Sequence, residues 1–244
     1  MSLITPQRTA KGREMRLSTD GLLQMRDALG SCKHFCFYSI VNLNMVVVDK
    51  MKIFGICASP RENTTSYVLN HALNILKDNN FDCDMFNTVG KSIKPCMHCD
   101  YCLENKKCII EDDMDEVYNG LLNADGIILA TPVQSGSISS NLSAIMDRTR
   151  ALEAVDYNIL RGKIGMSIAV GGDRTGGQDF AHLKNITYFM IHGIIPVSGG
   201  PFGSNLGASF WSDDSLENIK GDSYGWESLN RTLIEFENFL NKYI

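Results

Sequence analysis

From Met51 onward the apolar residues fall into runs whose spacing alternates between strand-like and helix-like. Lys52–Cys57 is a short apolar run that ends in the turn Ala58-Ser-Pro-Arg61. A helical spacing follows through Tyr67, Val68, His71, Ala72 and Ile75. Phe81–Phe86 is a weakly alternating second strand. A polar, cysteine-bearing loop then leads to a helix over about Asp113–Leu122, opened by acids suited to the positive helix N-terminus. Gly126–Thr131 is continuously apolar, as in a sheet covered on both faces. A helix over Leu142–Leu152, a strand over Lys163–Val170, a helix over His182–Ile191 and a short strand over Ile194–Val197 come next. The closing helix, about Trp226–Tyr243, carries Trp226, Leu229, Leu233, Phe236 and Leu240 on one stripe.

Strands alternating with helices predict a parallel, doubly wound α/β sheet. Five such strands suit a flavodoxin-like three-layer sandwich with strand order 2-1-3-4-5 and the cysteine loop after strand 2. Two stretches break the rhythm. Residues 1–50 lack it altogether and are expected to be an N-terminal extension of uncertain role, with the domain proper at 51–244. Residues 199–224 form a long connection rich in Gly, Ser and Asp, expected to act as a lid or an intersubunit contact.

At 244 residues, 44% of them hydrophobic and 21% charged, the chain has the profile of a globular protein with one domain and an appendage. A net charge of -5 argues against a nucleic-acid binder, which carries a basic stripe. The charge is uneven: residues 1–50 hold seven Lys/Arg against four Asp/Glu, a net of +3, so the remainder carries -8. No apolar run reaches the ~18 residues of a membrane span, and no secretory signal is evident. A cytoplasmic protein is therefore expected.

Four of the eight cysteines crowd into one short loop, 95–108, as Cys96, Cys99, Cys102 and Cys108. This C-x2-C-x2-C-x5-C run is compact, and four thiolates in such runs hold [4Fe–4S] clusters. Two other readings remain open. Structural zinc normally pairs two knuckles across a long spacer, absent here. Disulfides belong to oxidising compartments. His98, inside the run, reads as a solvated loop residue. Cys57 and Cys83 read as small core hydrophobes, and Cys32 and Cys36 receive no role.

In open α/β sheets a ligand sits beyond the carboxyl ends of the strands. Three polar turns occupy such ends. The first, Ala58–Ser66, runs straight into a helix, whose N-terminal N–H groups suit a phosphate. Ser59, Arg61, Asn63, Thr65 and Ser66 would complete the cradle, although Ser59 or Asn63 also suits a simple N-cap. The turn is neither a Walker loop nor a G-x-G-x-x-G dinucleotide turn. The second turn is Thr131–Ser139 and the third Gly171–Asp179, whose glycines let backbone approach a flat ligand closely. The cysteine loop follows the second strand and is expected at the same rim.

Taken together these residues resemble the iron-sulfur flavoprotein family, a branch of the NADPH-dependent FMN reductase superfamily, from Met51 to the C-terminus. The family's first loop reads approximately G-S-P-R-x-x-x-N-T. Here Ser59, Pro60 and Arg61 match, Ser66 replaces Thr and Thr65 departs from Asn. In the second loop Gln134 stands where the family has an aromatic, and the third loop, Gly171–Gln178, matches closely.

The resemblance implies one FMN and one [4Fe–4S] cluster per subunit, in homodimers or homotetramers with clusters near the subunit contacts. Cys96, Cys99, Cys102 and Cys108 would then ligate iron. Thr131, Pro132, Val133, Gln134, Ser135, Gly136, Gly171, Gly172 and Gly177 would shape the flavin ring and ribityl site. It further implies an oxidoreductase in which the cluster accepts single electrons from a ferredoxin-like donor and FMN passes them to a small acceptor. No side chain is required as acid or base. Two alternatives stand beside this reading: an NAD(P)H-dependent FMN or quinone reductase without a cluster, and a flavin-binding redox sensor.

Overall fold

The computed structural model describes residues 50–244. Of the expected extension over residues 1–50, residues 1–49, the Cys32/Cys36 pair among them, lie outside the described residues. β1 (Lys52–Cys57), β2 (Asp82–Asn87), β3 (Gly126–Pro132), β4 (Ile164–Gly171) and β5 (Ile195–Val197) form a parallel sheet in the order β2-β1-β3-β4-β5. The five strands read from the periodicity over residues 51–197 are present, in the flavodoxin-like order expected for them.

Alternation along each strand divides the core in two. Ile53, Ile128, Ala130, Met166 and Ile168 face α1 (Thr64–Asp78) and α8 (Ser223–Tyr243). Phe54, Ile56, Ile127, Leu129 and Ala169 face α3 (Met114–Asn123), α4 (Ser140–Arg148) and α6 (Gln178–Ile191). β3 is buried on both faces along Gly126–Thr131, which is why its sequence runs apolar without a break. On α8 the residues Leu229, Leu233, Phe236 and Leu240 are each at most 2% exposed. Burial of each such side chain contributes about 1.5–3 kcal/mol.

The structure departs from the periodicity in three places. The expected helix over 142–152 is two helices, α4 and α5 (Arg150–Val155), broken at Thr149. Thr149 Oγ1 donates back to the Met146 carbonyl at 2.6 Å, and its N–H is shared between the carbonyls of Ile145 and Met146. Such back-bonding competes with the helical ladder. A short α2 (Tyr101–Asn105) sits inside the cysteine loop.

The third departure lies in residues 199–224, a connection expected to act as a lid or an intersubunit contact. They contain β6 (Ala208–Trp211) and α7 (Leu216–Gly221). β6 pairs parallel with Ile168–Gly171, directly beyond the Ile164–Met166 stretch that pairs with β5, so one strand track is interrupted by residues 198–207. Ala208 and Phe210 are buried while Ser209 and Trp211 are half-buried. An alternation only four residues long, set among glycines and serines, is too short to stand out as a strand.

Candidate functional site

β1, β3 and β4 are neighbours, so the loops 58–63, 133–139 and 172–177 leave one carboxyl-end rim. Ser139 ties the first two together. Its Oγ donates to the Ala58 carbonyl at 2.8 Å and accepts from Leu142 N, while its N–H donates to Thr131 Oγ1 at 3.0 Å. In the second loop Gln134 and Ser137 bond each other's backbone, with Ser135 (φ 49) and Gly136 (φ 74) between them. Two positive φ values in a two-residue turn are the type I′ requirement. Pro132 ends β3, Val133 packs its side chain on the core, and Val133 N donates to the Val170 carbonyl at 2.8 Å.

Gly177 joins the second and third loops. It has φ 114, and a Cβ there would stand 2.6 Å from the Gly136 carbonyl oxygen. Only glycine accepts both that backbone and that contact. Gly171 and Gly172 accept from Ser212 N and Asp213 N, and the space over Gly172 is open.

In the first loop Ser59 Oγ closes a turn with the backbone of Arg61, and Thr64, Thr65 and Ser66 are buried at the start of α1. Asn63 occupies the N-cap position without a side-chain cap; its amide donates instead to the Asp214 carbonyl at 3.4 Å. A fifteen-residue helix thus opens at the rim with its positive end unquenched by a side chain. Arg61, expected on a phosphate, is held by Asp214 at 2.7 Å, with both side chains about two-thirds exposed. The reason is tertiary: β6 brings the 212–215 turn to the rim, and no pattern around Arg61 foretells it. Thr88, Asn141, Ser212 and Asp214 are rim residues that sequence reasoning missed. Thr88 Oγ1 donates to the Ser59 carbonyl at 2.8 Å and accepts from Asn141 Nδ2.

The cysteine segment leaves this rim at Thr88 but does not stay there. Cys96, Cys99, Cys102 and Cys108 border one hollow against Arg148, Arg150 and Ala151, at the α4–α5 junction. α4 starts at the rim and rises about 12 Å over the eight residues to Arg148, so the hollow lies on the α4 flank. The loop thus emerges at the rim, as expected from its place after the second strand, and runs on to the α4 flank. The connection from β2 to α3 is long enough to carry the thiols down the flank.

The loop turns on three non-glycine residues in left-handed conformation, His98 (φ 52), Asp100 (φ 58) and Lys106 (φ 58). His98 is exposed, and its N–H donates to Cys96 Sγ at 3.4 Å. Beneath the hollow Arg148 and Asp112, each only 1% exposed, form a two-pronged ion pair at 2.8 and 3.0 Å. Arg148 also donates to the carbonyls of Lys94 and Ile110, which fixes both ends of the cysteine loop. Burial alone would raise the Asp112 carboxyl. The bonds from Arg148, Lys94 N and Met114 N outweigh it and hold the carboxyl below its ordinary value.

The four thiols fit an iron–sulfur cluster in number and chemistry. Among the described residues no three His, Cys, Asp or Glu side chains are gathered as ligands of a single ion. Zinc draws its sulfurs in to about 2.3 Å, a tight tetrahedron. A cubane takes each cysteine on a different iron. Cys57 and Cys83 stand apart, their thiols pushed up to about 11 by burial, and are inert.

The remaining buried polar cluster is structural. His182 Nδ1 meets Ser167 Oγ at 2.7 Å and its Nε2 meets Ser209 Oγ at 2.9 Å, bolting α6 to β4 and β6. Burial pushes His182 down to about 4, so it is neutral.

A parallel sheet in this order, with helices on both faces, defines the flavodoxin-like class. Solved structures agree on the fold. RosB, solved with 8-demethyl-8-formylriboflavin-5'-phosphate, superposes with a TM-score of 0.59 at 14% identity over 78% of each chain. A flavodoxin, WrbA-like protein from Agrobacterium tumefaciens gives 0.51 at 11% identity, over 80% of this chain and 99% of that one.

Residues 51–207 match the family described as NADPH-dependent FMN reductase. An iron-sulfur flavoprotein of Archaeoglobus fulgidus is 51% identical over 190 residues, 78% of this chain and 97% of that protein. One from Methanocaldococcus jannaschii is 46% identical over 194 residues, 79% of this chain and 98% of that protein. The chain belongs to the NADPH-dependent FMN reductase family, and it is a flavin oxidoreductase.

Proposed function

We propose that this chain is an electron-transfer oxidoreductase that binds FMN at the three-loop rim and a [4Fe–4S] cluster at Cys96, Cys99, Cys102 and Cys108. The observation that carries the reading is the single hollow bordered by all four thiols, in a chain whose rim has the flavodoxin-like layout. Iron-sulfur flavoprotein is also the name borne by its relatives in Archaeoglobus and Methanocaldococcus. When bound, the cluster supplies single-electron transfer and FMN one- and two-electron chemistry.

The chain's own residues supply position. The open end of α1, with Ser59, Asn63, Thr65 and Ser66, is suited to the flavin phosphate. Thr131–Gly136 and Gly171, Gly172 and Gly177 present backbone to the ring and ribityl chain. Arg61 reaches that phosphate only by leaving Asp214. In this reading the cofactors carry the chemistry, and no side chain is assigned as acid or base.

The donor is a ferredoxin-like protein or NAD(P)H, and the acceptor a small molecule. Phe180, Leu183, Met190 and Ile191 are exposed on α6, which supports a homodimer or homotetramer. Among the described residues no helix is long and apolar enough to cross a membrane. A cysteine loop that holds a cluster rather than disulfides goes with a reducing, cytoplasmic setting.

Anaerobic purification followed by iron, acid-labile sulfide and FMN analysis tests the reading. About four iron and four sulfide per FMN are expected. FMN without iron leaves a cluster-free NAD(P)H-dependent reductase, and zinc makes the cysteines structural. Cys99→Ala is expected to lose iron and keep FMN; full iron retention would sink the ligand assignment.

A further inference from the structure

We infer that Arg148 and Arg150 are positioning residues for the cluster, whose Nε–H groups donate to its sulfurs and raise its reduction potential. The inference rests on the cluster reading above and adds the residues that tune it. Both side chains line the hollow with the four cysteines. In each, the Nε atom is buried and has no hydrogen-bond partner within the protein. Arg148 commits its Nη atoms to Asp112, Lys94 O and Ile110 O; Arg150 commits Nη2 to Asp100. A buried, unpaired N–H costs about 1–3 kcal/mol, so two such donors beside one hollow call for an acceptor there.

The helix break explains how both arginines reach one place. Residues two apart on a continuous helix point to different sides. Thr149 interrupts the ladder between α4 and α5, and its neighbours on either side both border the cysteines. Asp112 and Asp100 offset most of the net charge of the two guanidiniums, which leaves the directed N–H dipoles as the local influence. A cluster gains negative charge on reduction. A fixed donor to its sulfurs therefore stabilises the reduced form more and raises the potential.

The test is spectroelectrochemistry of the holoprotein, with iron and FMN measured per chain. Arg150→Lys keeps the charge and loses the Nε donor; Arg150→Gln loses both. Both are expected to retain iron and FMN, with the flavin potential unchanged. The cluster's one-electron reduction equilibrium is expected to fall about tenfold in Arg150→Gln, a shift of 59 mV for one electron. A smaller fall in the same direction is expected for Arg150→Lys. Arg148→Lys is expected to shift the same way; should it fail to fold, the Arg150 pair decides.

Wild-type cluster potentials in both Arg150 variants overturn the inference. So does loss of iron from Arg150→Gln with FMN retained, because the arginine would then build the site rather than tune it. Wild-type protein without iron overturns the cluster reading itself, and the iron analysis tells that failure apart.

Discussion

Replacement of Asp112 by alanine should be the most damaging single change near the cysteine loop. Its carboxylate accepts from Arg148 Nη1 at 2.8 Å, Arg148 Nη2 at 3.0 Å, Lys94 N at 2.9 Å and Met114 N at 3.2 Å. Without it a guanidinium 1% exposed keeps only two neutral carbonyl partners. Breaking a buried pair from one side costs about 3–5 kcal/mol, because a charge is left without compensation. For a domain near 200 residues that lowers Tm by roughly 6–20 °C. Removal of both charges is cheaper, so Asp112→Leu combined with Arg148→Met should be more stable than Asp112→Leu alone.

The assay is urea unfolding of the apoprotein at pH 7, run as a double-mutant cycle. The pH matters. The folded carboxyl lies below its unfolded value of about 3.9, so the pair's stabilisation is present above that value. It is lost as pH falls through the folded one. A loss under about 1 kcal/mol for Asp112→Ala, or strictly additive single-mutant losses, would refute the argument.

Three further outcomes are expected. His182 is depressed to about 4, so between about 6.5 and 4 the unfolded chain binds the extra proton and stability falls with pH. The total is about 3 kcal/mol, and a His182→Gln variant whose pH profile matches wild type would refute this. Gly177→Ala places a Cβ 2.6 Å from the Gly136 carbonyl at φ 114, so it should weaken FMN binding at least tenfold while far-UV circular dichroism stays native. Wild-type affinity by fluorescence titration would contradict the account of the rim. Asp214→Asn should tighten FMN binding a few-fold by releasing Arg61, and Arg61→Ala should weaken it. The effects are modest because the pair is exposed, and equal affinities in both variants would remove Arg61 from the phosphate site.

The alternation of apolar runs made the five strands and most helices legible, because burial on a strand or helix face writes its own period into the chain, and the order of the strands came from the fold class they suit. The cysteine spacing likewise named a chemistry, since four thiols within one short loop have few uses. Tertiary structure alone decided the rest. β6 is four residues whose burial depends on α8 packing over them, and it delivers Asp214 to Arg61 from 153 positions away. The hollow lies down the α4 flank because Arg148 anchors Lys94 and Ile110 there, a pairing with Asp112 that spans 36 positions. Periodicity records which face of an element is buried. It carries no record of which distant partner meets that face, and the partners are what shape this site.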